Sequence, residues 1–167
     1  MGARLFGAHP SPDAVAQRSD MSDPTSMTGL EQLRAHLANG AEIAPIAQHF
    51  GMTVVSFAEG EVIFEGVPDR SHYNPIGTVH GGFAATLLDS ACGTAVHTTL
   101  RPGQAYTSLE IKVSFLRPMT VETGPVRVRG RVVKSGARAA FVEAELRDSA
   151  DVLLATATST CAIFPVR

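Results

Sequence analysis

The sequence predicts an α+β domain in which one long helix is wrapped by a curved antiparallel β-sheet of about five to six strands. The segment from Gly82 to about Thr98 is dominated by small and apolar residues, which indicates a helix that is buried on most of its sides. Strand-like segments precede and follow this helix, and short turns join the later ones. Short turns favour antiparallel neighbours, and a curved antiparallel sheet can enclose an apolar helix.

The N-terminal part of the chain differs from the rest. Residues 1–27 are rich in Ser, Asp, Pro and Gly and show no periodicity, which predicts a flexible tail outside a folded domain of residues 28–167. Thr28 and Glu31 have the spacing of a capping box, and leucines at helical spacing follow them. A short helix is therefore predicted after the tail.

Six strands are predicted, two before the long helix and four after it. They cover residues 53–57, 61–67, 107–115, 126–132, 140–147 and 152–164. In the third strand, every second residue from Thr107 to Phe115 is apolar or Thr, so these positions are predicted to share one face. Gly130 falls on the apolar face of the fourth strand, which predicts a bulge or bend there.

Composition excludes several kinds of partner. The chain has 167 residues, a net charge of -2 and no Trp, so neither nucleic acid nor an anionic membrane is expected as a partner. No apolar run reaches about 18 residues, and the N-terminus lacks the layout of a secretory signal. A cytoplasmic protein is predicted. Cys92 and Cys161 lie in no metal-ligand pattern and are predicted to be buried thiols.

Asp89 is the only charged residue between Gly82 and Thr99. A carboxylate on a buried helix costs free energy unless it is hydrogen-bonded or paired. Two interpretations stay open at this point. Asp89 is either a core aspartate satisfied by hydroxyls such as those of Thr86 or Ser90, or a base or nucleophile that faces a cleft.

Two glycines and a histidine precede the long helix. The free amides of Gly81 and Gly82 lie where the helix dipole is positive, and such amides can bind the oxyanion formed when an acyl carbonyl is attacked. A tight turn is the commoner explanation of such a motif. His80 is a possible acid or base, but a role in fixing the loop is favoured. Neither Ser71 nor Ser90 lies in a GxSxG elbow, which argues against a serine hydrolase.

Spacing indicates how these groups would have to meet. Gly81 and Asp89 are eight positions apart, which is about 12 Å along a helix. An oxyanion donor and an attacking group should both lie about 3 Å from one reacting centre. One helix cannot easily supply both, whereas two antiparallel copies can. An isologous dimer with composite sites is therefore predicted.

Three segments resemble the PaaI-like branch of the hotdog-fold thioesterases, which includes the human thioesterase superfamily proteins and the aryl-CoA thioesterases of phenylacetate degradation. The first is NPIGTVHGGFAATLLD at residues 74–89. The second, SLEIKVSFLRP at residues 108–118, matches the strand that follows the helix in the family. The third, VKSG at residues 133–136, matches its hairpin. The similarity runs from about residue 50 to the C-terminus.

The resemblance implies a hotdog fold and dimers that usually pair into tetramers, with active sites across the dimer interface. By resemblance, Asp89 is the general base or nucleophile, the Gly81 amide polarises the thioester carbonyl, Asn74 orients water or substrate from the opposite chain, His80 supports the loop and Ser108 positions water near Asp89. No metal or redox cofactor is expected, because CoA enters as part of the substrate. Some relatives have Glu at the Asp89 position, which leaves open whether water attacks or an anhydride forms.

The leading interpretation is an acyl-CoA thioesterase that acts on an aryl or medium-chain acyl group. The alternatives are a non-catalytic binder of acyl-CoA or aromatic ligands, and a hotdog hydratase or dehydratase. Phe57, Phe83, Leu87 and Leu88 are candidates for the acyl pocket or for the core. A basic series formed by Arg127, Arg129, Arg131, Lys134 and Arg138 is either a solvated sheet face or a site for the CoA phosphates.

Overall fold

The computed structural model describes residues 24–39 and 44–166. It contains three α-helices, α1 (Gly29–Ala38), α2 (Pro45–His49) and α3 (Gly81–His97). The strands are β1 (Thr53–Ala58), β2 (Glu61–Gly66), β3 (Gln104–Phe115), β4 (Val126–Ser135), β5 (Ala139–Asp148) and β6 (Leu153–Pro165). Short 3-10 helices lie at Pro24–Ser26, Arg70–His72 and Val121–Thr123.

All six strands form one antiparallel sheet in the order β1-β2-β4-β5-β6-β3. Helix α3 packs against the sheet and contacts every strand from β2 to β6. This arrangement confirms the predicted fold, in which a curved sheet wraps one long helix. It also leaves β1 and β3 as the two edges of the sheet. No helix in the described part of the chain is long and apolar enough to cross a membrane.

The core lies between α3 and the concave face of the sheet. From the helix, Phe83, Leu87 and Leu88 are at most 1% exposed, and they pack in one cluster with buried residues of the strands such as Val128 and Leu146. Burial of each such side chain contributes about 1.5–3 kcal/mol. The three helix residues are therefore parts of the core in the single chain.

One stripe of α3 is left uncovered, so the prediction of a helix buried on most sides is only partly right. Gly82, Thr86 and Ser90 are partly exposed and Asp89 is exposed. The sheet curves around one side of the helix in a single chain and cannot reach the other. Small side chains made the whole segment look apolar, although several on this stripe are polar.

Helix α1 begins as predicted. The Glu31 amide donates to the Thr28 hydroxyl at 3.3 Å, and the Thr28 amide donates to the Glu31 carboxylate at 2.8 Å, which together form the capping box. Gly29 packs directly on the end of α3, where a Cβ would lie 1.8 Å from the His97 carbonyl oxygen. Most of the flexible tail predicted for residues 1–27, namely residues 1–23, lies outside the described residues.

Gly130 has a different role from the one predicted. It pairs regularly with Val62 and Ala144, and the register shift of β4 lies further on, between Val132 and Lys134. A Cβ on Gly130 would lie 2.3 Å from the carbonyl oxygen of Ala91 in α3. The residue is therefore glycine because helix and sheet approach closely there, and the predicted bulge at this position is wrong.

Replacing Gly130 with alanine is expected to lower the free energy of unfolding by about 3 kcal/mol, because a helix backbone cannot shift locally to admit a methyl group. The measurement is the midpoint and slope of urea unfolding. Gly136→Ala is the matched control, since the nearest atom to its Cβ is 3.3 Å away and the residue is exposed. Equal stability of the two variants would contradict the packing explanation.

Candidate active site

Asp89 lies in the middle of α3, on the uncovered stripe, and its carboxylate faces solvent in the single chain. The Ser108 hydroxyl on β3 donates a hydrogen bond to Oδ1 of Asp89 at 3.2 Å. Neither predicted helix hydroxyl is recorded as its partner, and the Thr86 hydroxyl donates instead to the Gly82 carbonyl at 2.9 Å. The interpretation of Asp89 as a buried core aspartate is therefore wrong, and a carboxylate open to a substrate agrees with the geometry.

A β-bulge next to this pair directs Ser108 towards the helix. The pairing of β3 with β6 shifts between Ser108 and Glu110, which leaves Leu109 out of register and 64% exposed. Before the bulge Ser108 faces α3, whereas after it Ile111 packs against the core. The predicted common face from Thr107 onward is wrong for this reason, because one extra residue exchanges the two faces of the strand.

His80 caps the start of α3. Its Nδ1 accepts a hydrogen bond from the Gly82 amide at 2.8 Å, so this nitrogen carries no proton and the ring holds the loop in place. The amide of Gly81, the first residue of the helix, donates to no acceptor recorded within residues 24–39 and 44–166. A Cβ on Gly81 would lie 3.0 Å from the Phe115 ring. The helix therefore begins with an available N–H at its positive end.

Asn74 organises the loop that leads to His80. Its Oδ1 accepts from the amides of Ile76 and Thr78 at 3.1 and 3.3 Å, and its Nδ2 donates to the Thr78 hydroxyl at 2.9 Å. The His80 amide in turn donates to the His72 carbonyl at 2.7 Å. The Asn74 side-chain nitrogen carries two hydrogens and donates one of them to Thr78, so its second N–H can donate to another acceptor.

The predicted site residues thus form two groups in the single chain. Asp89 and Ser108 are in contact, while Asn74, His80 and Gly81 lie along the loop and the first turn of α3. The helix is continuous from Gly81 through Asp89, so the two groups are about 12 Å apart along its axis. One chain does not bring them to a common reacting centre.

The two thiols are core residues, as predicted. Cys92 and Cys161 are both fully buried. Burial, with smaller contributions from Cys161 and Asp89, raises the pKa of the Cys92 thiol to about 12. The thiol therefore stays protonated near neutral pH, which removes it as a nucleophile although it lies one turn from Asp89.

The basic series divides into paired and unpaired residues. Three arginines form ion pairs with glutamates of neighbouring strands: Arg127 with Glu65, Arg129 with Glu61 and Arg131 with Glu143. These pairs lie on the exposed face of the sheet, as in the solvated-face interpretation. Among the described residues, Lys134 and Arg138 at the β4–β5 hairpin form no ion pair, so both interpretations stay open for them.

Tyr106 was missed by the sequence analysis. It lies two residues before Ser108 on β3, and its ring packs against Gly93, one helical turn after Asp89. The sequence did contain a signal for it. Gly93 follows Asp89 by four residues, Tyr106 precedes Ser108 by two, and the two residues are in contact. This signal could not be interpreted before the pairing of α3 with β3 was known.

Comparison with known proteins identifies the family. The family described as "Thioesterase superfamily" matches residues 76–155. Human acyl-coenzyme A thioesterase 13 is 34% identical over 99 residues, which are 59% of this chain and 69% of that protein. The same enzyme from the mouse is 32% identical over 95 residues, which are 57% of this chain and 66% of that protein.

Solved structures agree with this match. A phenylacetic acid degradation-related protein from Ralstonia eutropha JMP134 is 30% identical, with a TM-score of 0.69 over 77% of this chain and 97% of that one. A variant of the phenylacetic acid degradation protein PaaI from Thermus thermophilus is 29% identical, with a TM-score of 0.65 over 71% and 98%. The chain therefore belongs to the PaaI-like branch of the hotdog-fold thioesterase superfamily and is a thioester hydrolase.

Proposed function

We propose that the protein hydrolyses aryl- or medium-chain acyl-CoA to the free acid and CoA, with Asp89 as base or nucleophile. The observation that carries this proposal is the solvent-facing Asp89–Ser108 pair on a helix whose first turn offers an available Gly81 amide. A base and an oxyanion donor are the two groups that hydrolysis of an acyl carbonyl needs. Relatives that are acyl-coenzyme A thioesterases support CoA as the thiol carrier.

Each residue then has a defined step. In the water route, Asp89 takes a proton from a water held by Ser108, and the hydroxide adds to the thioester carbonyl carbon. The Gly81 N–H stabilises the oxyanion of the tetrahedral intermediate. When the oxyanion re-forms the carbonyl, the C–S bond breaks and CoA leaves as the thiol, with the proton that Asp89 took from water. In the alternative route, the Asp89 carboxylate adds to the carbonyl carbon and the C–S bond breaks, so the CoA thiolate leaves and a mixed anhydride forms. Water then cleaves the anhydride to the free acid and Asp89, and supplies the proton that the thiolate takes up.

The complete site requires a second copy of the chain. We propose an isologous dimer in which α3 of one chain lies antiparallel to α3 of the other, so that Gly81 of one chain approaches Asp89 of its partner. The uncovered stripe of α3 and the neighbouring edge strand β3, with the exposed Leu109, support this arrangement. In it, the remaining N–H of Asn74 is available to substrate or water, and His80 holds the oxyanion loop. Pairing of such dimers into a tetramer is proposed from the family alone.

The test is release of free thiol by the full-length protein from phenylacetyl-, hydroxybenzoyl- and medium-chain acyl-CoA. We expect turnover of at least one ester, and we expect the protein to sediment as a dimer or tetramer. Saturable binding of the esters without thiol release would establish the non-catalytic binder instead. Double-bond chemistry without free CoA would indicate a hydratase, and a catalytically active monomer would exclude the composite site.

A further inference from the structure

One face of α3 continues beyond Asp89 along the edge strand. Asp89, Gly93 and His97 follow one another at intervals of four residues and therefore share this face. Opposite them, Ser108 contacts Asp89, and Tyr106 contacts both later positions. Along this helix–strand contact, the proposed catalytic carboxylate and the position on which Tyr106 packs are about one helical turn, or roughly 5.4 Å, apart.

The lack of a side chain at Gly93 leaves room for the Tyr106 ring. A Cβ on Gly93 would lie 2.9 Å from the Tyr106 hydroxyl oxygen and 3.1 Å from a ring carbon, so a side chain at this position would displace the ring. The other side of the ring packs edge-on against His97, with the ring centroids 6.0 Å apart. Tyr106 is therefore packed against two successive turns of α3.

Tyr106 also borders a cavity between the described residues. A cavity of about 310 Å³ is bounded by Tyr106, His97, Leu100 and Val166, and its lining is mostly apolar. A cavity of this volume has the size of a small-ligand pocket. The Tyr106 ring is thus one wall of this cavity, and the same ring packs on Gly93, one helical turn from Asp89.

We propose that Tyr106 closes the acyl end of the active site and limits the length of the acyl group that the enzyme accepts. This inference rests on the proposed function, because it takes the thioester carbonyl to lie at Asp89. The acyl group then extends along the helix face towards Gly93 and ends against the Tyr106 ring. An aryl or short acyl group then ends before the ring, whereas a longer chain meets it.

The other large apolar residues of α3 cannot take this role. Phe83, Leu87 and Leu88 face the sheet and are at most 1% exposed, so a substrate does not reach them without opening the core. Tyr106 is only half-buried and its hydroxyl has no recorded hydrogen-bond partner within the described residues. Burial raises the pKa of Tyr106 to about 12, so the ring meets the acyl group as a neutral phenol.

The experiment compares kcat/KM for hexanoyl-, octanoyl- and decanoyl-CoA between the full-length wild-type protein and Tyr106→Ala. We expect the ratio of decanoyl- to hexanoyl-CoA hydrolysis to rise about tenfold or more, because removal of the ring gives a longer acyl group access to the cavity behind it. Tyr106→Phe keeps the ring and should keep the wild-type length profile. Phe141→Ala, a truncation of an exposed aromatic residue on β5, is the matched control for loss of an aromatic side chain.

Tyr106→Leu serves the same purpose with less loss of packing if the alanine variant does not fold. An unchanged length profile in a folded, active Tyr106→Ala or Tyr106→Leu variant would overturn the inference alone. A uniform change in KM for all three esters would also overturn it, since that result places the pantetheine arm rather than the acyl group against Tyr106. If the wild-type protein releases no thiol from any ester, the proposed function fails and this inference fails with it.

Discussion

Replacing Asp89 with alanine is expected to lower kcat for acyl-CoA hydrolysis by about 1,000-fold or more, with the fold retained. The loss follows from the chemistry, because no other carboxylate is hydrogen-bonded to Ser108 on the uncovered stripe among the described residues. General base catalysis contributes about 100- to 10,000-fold, and a covalent nucleophile at least as much. Asp89 is exposed in the single chain, so its removal should cost little stability.

The measurement is thiol release in parallel with urea unfolding of the same preparations. Glu110→Ala is the matched control, because it removes an exposed carboxylate from β3 two residues after Ser108 and leaves Asp89 in place. We expect this control to retain activity. Full activity of Asp89→Ala would show that the proposed mechanism is wrong, even though the chain belongs to the thioesterase superfamily.

The order and type of the elements could be predicted because they depend on local patterns. The capping box at Thr28 involves residues three apart, and the strands from β1 to β6 show up in composition and alternation. Strand ends were less accurate: β3 begins at Gln104 rather than Thr107, and β4 continues to Ser135. These extensions form through pairing with neighbouring strands, which a single segment does not encode.

The errors share one physical origin, which is contact between elements distant in the chain. The bulge after Ser108 depends on the pairing of β3 with β6, so simple alternation assigned the wrong face to the residues before it. Gly130 is fixed by the backbone of α3 at Ala91 rather than by the geometry of its own strand. Both features need the packed structure to be recognised.

The site was predicted in two different ways. The distance between Gly81 and Asp89 followed from helix geometry, and the continuous α3 bears out that they are separated in one chain. The pairing of Ser108 with Asp89 was implied only by the resemblance, because the residues are 19 positions apart and lie on different elements. Periodicity identified Asp89 as unusual but also suggested that it was buried, since it cannot show which side of a helix the sheet covers.

Replacing Gly81 with proline is expected to lower kcat by about 100-fold relative to Gly81→Ala. Proline removes the N–H that is proposed to bind the oxyanion, at the first helical position, where proline is well tolerated. His80 has an extended backbone with ψ of 138°, which is compatible with a following proline. Both substitutions place a Cβ near the Phe115 ring, so the alanine variant controls for that contact.

The same variant decides whether the site is shared between chains. In the proposed dimer, a Gly81→Pro chain paired with an Asp89→Ala chain forms one site in which both Gly81 and Asp89 are intact. Random pairing makes half of the dimers mixed, so a co-expressed equal mixture should regain about a quarter of the wild-type activity. Each variant alone stays far below that level in either case, and thiol release by the co-expressed mixture is the measurement. Recovered activity would mean that Gly81 of one chain acts with Asp89 of the other. If both groups acted within one chain, every chain in the mixture would lack either the Gly81 amide or the Asp89 carboxylate, and no activity would return.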